Sequence, residues 1–290
     1  MKQIRYFLQA VLVYLIFLIM RFLPLDTASN FGGWLARSIG PRLAKSRQVI
    51  RHLQYAMPHL RDDEARAIMV SMWDNLGRNF AETPHINRIC NERVTVSTPD
   101  TLHYITENEN GSIIFSGHLA NWEVGAAYVQ KNLNAKLAAV HRLPNNPFLV
   151  KILTAIRNPN EEIRSLPKSR KGARDFIRSL NENYQVYLLI DQKYNEGIES
   201  LFFGKPAMAS SAFSDLSQKM NVPAIPMRMI RKGGAHFEMQ VFPPLALYHQ
   251  DGTPLTPEEA VALAHTYLEG WIREYPGDWL WLHKRWIEKV

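Results

Sequence analysis

The sequence predicts an α/β fold, a largely parallel central sheet flanked by helices, with an N-terminal membrane-anchor helix, and three observations carry that expectation. From about residue 110, short apolar runs alternate with helical stretches, the pattern of strands joined by crossover helices. Residues 26–90 instead show helical spacing of their apolar side chains. Residues 6–20 carry no charge at all.

The uncharged stretch comes first. If Arg21 snorkels to the interface, the apolar run continues through Phe22, Leu23 and Leu25, reaching the ~20 residues that cross a bilayer. No A-x-A-like cleavage site follows in Leu23-Pro24-Leu25-Asp26, which favours a retained anchor (1–25) over a cleaved signal peptide. Arg21, Arg37, Arg42, Lys45, Arg47 and Arg51 lie downstream, against Lys2 and Arg5 upstream, so the positive-inside rule puts the remainder, one domain over 26–290, on the cytoplasmic face.

That domain divides into a helical lead-in (26–90), an α/β core (110–245) and a C-terminal helix and tail (256–290). In the lead-in, Ala65, Ile68, Met69, Met72, Leu76 and Phe80 form one face to bury. Strands are predicted at Ser112–Phe115, Leu137–Val140, Val186–Ile190, Ala224–Met229 and Phe237–Phe242. Thr256-Pro257-Glu258-Glu259 has a cap, a proline at the first helical position and an acid three after the cap, so a helix runs from there to about Tyr275.

Composition narrows the function. With 290 residues, 46% hydrophobic and 21% charged, the chain can bury a sizeable core. Its net charge of +7 points to an anionic partner: a membrane surface, a phosphorylated substrate or nucleic acid. No helix-turn-helix, zinc or aromatic-sheet signature supports nucleic acid, and Lys168-Ser169-Arg170-Lys171 reads as a solvated turn. The single cysteine, Cys90, excludes an intrachain disulfide and a Cys-rich metal site and reads as a small buried hydrophobe. No metal or cofactor is expected.

Polar residues close the strand runs: Ser116-Gly117-His118 after the first, His141-Arg142 after the second, Asp191-Gln192 after the third, Arg228 and Arg231 on the fourth. Parallel strands gather such groups at one sheet edge, where open α/β sheets bind ligands. His118 precedes Glu123 by five residues, ~500° of regular helix, so pairing needs a bend. Gly117 supplies it; Glu123, from the first turn of the next helix, then accepts the ring N–H and raises basicity. Such an imidazole can take a proton from an alcohol attacking a thioester, with no covalent acyl-enzyme. The same spacing recurs in His59/Glu64 and His283/Glu288, where a capping or solvated histidine is the natural reading. Spacing alone leaves His118 as open to a structural role as to a catalytic one.

Ser116-Gly117-His118-Leu119-Ala120-Asn121-Trp122-Glu123 resembles the His-x4-acid motif of glycerolipid acyltransferases, in the form used by the late acyltransferases of lipid A biosynthesis. Further matches follow nearly the whole chain: Gly77-Arg78 with Glu82, Arg142 with Asn146-Pro147, Asp191-Gln192, Phe202-Phe203-Gly204 and Trp281-Leu282-His283-Lys284-Arg285. The resemblance implies a glycerolipid acyltransferase-like fold at the bacterial inner membrane. It implies transfer of a fatty acyl group from acyl-carrier protein to a 3-hydroxyacyl chain of a phosphorylated glycolipid, with His118 as base and Glu123 as its partner. Arg142, Asp191, Gln192, Gly204 and Asn121 are the implied substrate-binding residues: Arg142 for a phosphate or the oxyanion, Gly204 for a close backbone approach. After Phe-Phe-Gly the family tends to show Thr and Gly, whereas this chain reads Ala209-Ser210-Ser211-Ala212. Two other functions stay open: acylation of another glycolipid, such as a phosphatidylinositol mannoside, and non-catalytic binding at a membrane.

Overall fold

Alternate residues of the most apolar strand face opposite ways, and this divides the protein into two cores. The computed structural model describes residues 2–141, 144–157, 162–167 and 170–287. Strands β1 (Val94–Val96), β2 (Ser112–Ser116), β3 (Leu137–His141), β4 (Ile163–Pro167), β5 (Gln185–Leu189), β6 (Ile198–Phe202), β7 (Lys205–Ala209), β8 (Ala224–Gly233) and β9 (His236–Val241) form two sheets. The larger has the order β1-β9-β8-β2-β5-β3-β4, and β6 pairs with β7 in a separate hairpin. From β8 to β4 every neighbour is parallel; β9 turns back antiparallel on β8 and pairs with β1. Ile113 and Phe115 of β2 enter one core with Val186 and Leu188, while Ile114 enters the other with Tyr187 and Ile225, the period of two that a doubly covered strand requires.

Helices cover both faces: α1 (Lys2–Phe22), α2 (Leu25–Ile39), α3 (Ala44–Ala56), α4 (Asp62–Glu82), α5 (Ile86–Glu92), α6 (His103–Thr106), α7 (Trp122–Asn132), α8 (Pro147–Arg157), α9 (Arg170–Asn181), α10 (Ala212–Met220) and α11 (Pro257–Glu274). Thr256 caps α11 as expected: its hydroxyl accepts from Glu259 N at 3.3 Å while Glu259 Oε2 accepts from Thr256 N at 2.8 Å. Gly32 and Gly77 bring α2 against α4 so closely that a Cβ on either would collide with the backbone of the other. Cys90 is buried, as its composition class suggests, and burial pushes its thiol up to about 12.

Helix α1 is long and apolar enough to cross a membrane, with a mean hydropathy of 1.8 over its best window, consistent with membrane association. It also touches the domain at both ends. Asn146 Nδ2 donates to Tyr6 O at 2.8 Å, Phe7 meets Phe148 edge-on, and His85 Nε2 donates to Met20 O at 2.8 Å. Phe80, expected in the buried face of α4, is instead 43% exposed and packs on Phe17 of α1 at 4.7 Å.

Four further corrections concern elements. Strands β1 and β4 and the β6–β7 hairpin were not expected: β1 is only three residues long and β4 is a half-buried edge strand, Ile-Arg-Ser-Leu-Pro, so neither shows a long apolar run. The C-terminal tail, expected to be charged and solvated around His283, is largely internal. Trp279, Trp281 and Arg285 are fully buried and Trp286 nearly so.

Candidate active site

The register of two neighbouring strands builds the site. Ser116 of β2 pairs with Leu189 of β5, and Ile190 N donates to Ser116 O at 3.0 Å as the strands end. Two residues beyond that pair stand His118 on one side and Asp191 on the other. Parallel register therefore delivers an imidazole and a carboxylate to the same step of the carboxyl edge. Asp191 Oδ1 accepts from His118 Nδ1 at 2.7 Å; Oδ2 accepts from His118 N at 2.8 Å and from Trp279 Nε1 at 2.7 Å. Asp191 is fully buried and the His118 ring is slightly exposed.

Burial alone would push the Asp191 carboxyl up. The positive field of His118, its two hydrogen bonds and the nearby His283 outweigh that and hold the group well below the usual carboxylate range. An ionised carboxylate only accepts, so Nδ1 carries a ring proton. On the other side of the ring, Gln192 Nε2 donates to His118 Nε2 at 3.0 Å, and the same amide reaches His283 Nε2 at 3.2 Å. Trp122 and His283 close on the imidazole edge-on, with centroids at 5.0 and 4.9 Å.

The structure thus brings His118, Asp191 and Gln192 together and corrects the expected pairing. The carboxylate on the ring N–H is Asp191, not Glu123, because Asp191 lies in register beside His118, whereas Glu123 lies beyond a bend, half-buried in the first turn of α7. Asn121, expected to meet substrate, is fully buried and gives its Nδ2 to Glu82 Oε2 at 2.8 Å. Among the described residues no protein atom approaches Gly204 closely. It follows Phe203 in the two-residue turn between β6 and β7, with φ of 54° and 69°, and a Cβ there would meet nothing within 4 Å. Arg142, Lys168 and Ser169 lie outside the described residues.

Two members of the site escaped the sequence reading. His283 was placed in a solvated tail, and Trp279 carried no role; both return to the sheet edge with the C-terminal segment. Leu119 forms a β-bridge with Trp279, Leu280 N donates to His118 O at 3.2 Å, and Ala120 N donates to Asp278 O at 3.1 Å. The run Trp281-Leu282-His283-Lys284-Arg285, noted only as a resemblance, was the one signal for this return. Among the described residues no group of three or more His, Cys, Asp or Glu side chains could hold a metal ion.

The fold therefore presents a carboxylate-oriented imidazole at the edge of a parallel sheet, in a chain led by a long apolar helix. The model of the bacterial lipid A biosynthesis acyltransferase family matches residues 1–288, and the chain belongs to that family. It is an acyltransferase, and its acyl transfer serves lipid A biosynthesis. The comparison with curated proteins returned no match.

Proposed function

We propose that the protein moves a fatty acyl group from an acyl-carrier-protein thioester to the hydroxyl of a 3-hydroxyacyl chain on a phosphorylated lipid A precursor, with His118 as general base. The hydrogen bonding of His118 supports this reading: Nδ1–H on a buried anion, with Nε2 facing the Gln192 amide N–H. The acceptor hydroxyl takes the place of the Gln192 amide, and its oxygen attacks the thioester carbon while its proton passes to Nε2. The C–S bond then breaks and the thiolate receives that proton, leaving the ester and a free thiol. Asp191 stabilises the imidazolium, a contribution of about 10²- to 10⁴-fold in rate for base catalysis of this kind.

Arg142, next in sequence after β3, is assigned to the phosphate of the acceptor or to the oxyanion. The inner membrane holds the protein through α1, with the domain on the cytoplasmic face, a placement supported by the excess of basic residues after α1.

A transfer assay tests the reading. Membranes bearing wild-type protein or His118→Ala are supplied with acyl-carrier thioester and lipid A precursor. The variant is expected to associate with membrane normally and to transfer nothing above background. Equal turnover in the two removes His118 from the mechanism.

A further inference from the structure

Ala120, midway between His118 and Glu123, has φ of 46°, a left-handed conformation that a residue with a Cβ adopts only when its surroundings impose it. It is also fully buried. Its carbonyl accepts from Asn75 Nδ2 at 3.1 Å and from Asn79 Nδ2 at 2.5 Å, and Asn75 Nδ2 reaches Asp278 O at 3.1 Å as well. Asn75 and Asn79 are one turn apart on a single face of α4, and Glu82 continues that face.

What sets the direction of those two amides lies on the far side of them. Arg231, from β8, donates Nε to Asn75 Oδ1 at 2.9 Å and Nη2 to Asn79 Oδ1 at 2.6 Å. A guanidinium has no acceptor, so each amide must turn its oxygen toward Arg231 and its NH₂ toward Ala120. Arg231 is fixed in turn by Glu82, with Nη1 to Oε1 at 2.6 Å and Nη2 to Oε2 at 3.1 Å, and by Gly234 O at 2.6 Å. Glu82, fully buried, also accepts from Ser29 Oγ at 2.7 Å and from Asn121 Nδ2, so it grips the residue that follows Ala120.

The charges are deep, and a buried ion pair is a poor way to add stability, since apolar residues of the same volume commonly do as well. A polarity code for the loop is a better account of it. Released from these donors, Ala120 would relax out of the left-handed region, the 120–121 peptide would swing, and the start of α7 would carry Trp122 off the His118 ring.

We propose that Asn75, Asn79, Glu82 and Arg231 are positioning residues for the acyl transfer, holding Ala120 and Asn121 in the conformation that sets His118 against the first turn of α7. The proposal rests on His118 being the base. Its distinguishing consequence is that glycine at 120, for which the left-handed region costs little, should make the cage partly dispensable.

The test compares wild type, Asn79→Ala, Asn79→Asp, Ala120→Gly, Asn79→Ala/Ala120→Gly and His118→Ala in the transfer assay, with kcat, KM for the acyl-carrier thioester and thermal midpoint measured for each. Asn79→Asp keeps an oxygen for Arg231 while replacing the donor to Ala120 O, so it tests the code in a chain that keeps the Arg231 contact. Both Asn79 variants are expected to lose about 10- to 100-fold in kcat, the scale of an ångström of misplacement, with KM little changed. Ala120→Gly alone should stay within about twofold, and in the double variant it should restore roughly tenfold of the lost kcat without raising the thermal midpoint. Unaltered kcat in both Asn79 variants, or losses that follow the thermal midpoint with no rescue by glycine, overturns the positioning role while leaving a silent His118→Ala, and so the base, intact. Turnover by His118→Ala instead overturns the base and the cage's purpose with it.

Discussion

His118 and His265 each donate Nδ1–H to an oxygen at 2.7 Å, Asp191 Oδ1 for the first and the Leu201 carbonyl for the second, and each turns Nε2 toward a nitrogen donor. They part company in charge. Behind His118 stands a buried anion, and before it, among the described residues, an amide; before His265, at 2.7 Å from Nε2, stands the guanidinium of Arg285. Arg285 is itself fully buried, donates Nη1 to Met208 O at 2.6 Å and lies over the face of Phe202 at 4.8 Å. Burial first, and then the Arg285 charge, push the His265 imidazole down to about 4. One tautomer therefore yields a group that can accept a proton during a reaction and another that is forbidden to, and the neighbour of each ring decides which.

The sharpest way to break this comparison is to remove the anion. Asp191→Asn is expected to lower kcat by roughly 10³- to 10⁴-fold, because an amide no longer dictates the ring tautomer or supports the imidazolium. His265→Gln should leave kcat within a few-fold. If the two variants fall equally in the transfer assay, His118 has no special standing.

The next test uses pH. His265 titrates at about 4 when folded and near 6.5 in an unfolded chain, so between those values the unfolded chain binds a proton that the folded one does not. Stability should fall as pH drops from about 7 to about 4, by up to roughly 3 kcal/mol. Asp191, held below its ordinary value, gives up its stabilisation only below about pH 4, outside that window. Thermal midpoints at pH 7 and pH 4.5 should differ strongly in wild type and much less in His265→Gln; equal differences would show that the loss arises elsewhere.

A smaller effect sharpens the contrast at Nε2. Gln192→Ala removes a neutral donor that the acceptor hydroxyl displaces in any case, and should cost no more than about tenfold in kcat, about one hydrogen bond. A loss as deep as that of Asp191→Asn would make Gln192 part of the proton transfer itself. Smallest of all is Gly204→Ala, on the hairpin whose Leu201 carbonyl holds His265: with open space around the position, only the positive φ resists, about 1 kcal/mol, seen as a few degrees of thermal midpoint at unchanged kcat.

Apolar periodicity made the parallel core legible. The runs at 112, 137, 186, 224 and 237 are all strands, and the Thr256 cap opens its helix where the sequence places it. His118 at a strand end was legible for the same reason. Its partner was not, since the pairing of β2 with β5 joins residues 73 positions apart and leaves no local pattern. The polar face of α4 is illegible for a related reason: nothing local to Asn75, Asn79 and Glu82 announces the Arg231 that β8 brings against them. The tail misled because His283, Lys284 and Arg285 are charged or polar by type, while the tryptophans around them draw the segment inward.

The return of residues 278–286 to the sheet edge also orders events during synthesis. The first apolar helix leaves the ribosome long before Trp279, so a nascent chain can reach a lipid surface while its imidazole still lacks the indole that completes the carboxylate's shell and the strand that braces the neighbouring loop. Until residues 278–286 arrive, Asp191 lacks the Trp279 indole and the loop after His118 lacks its bridge.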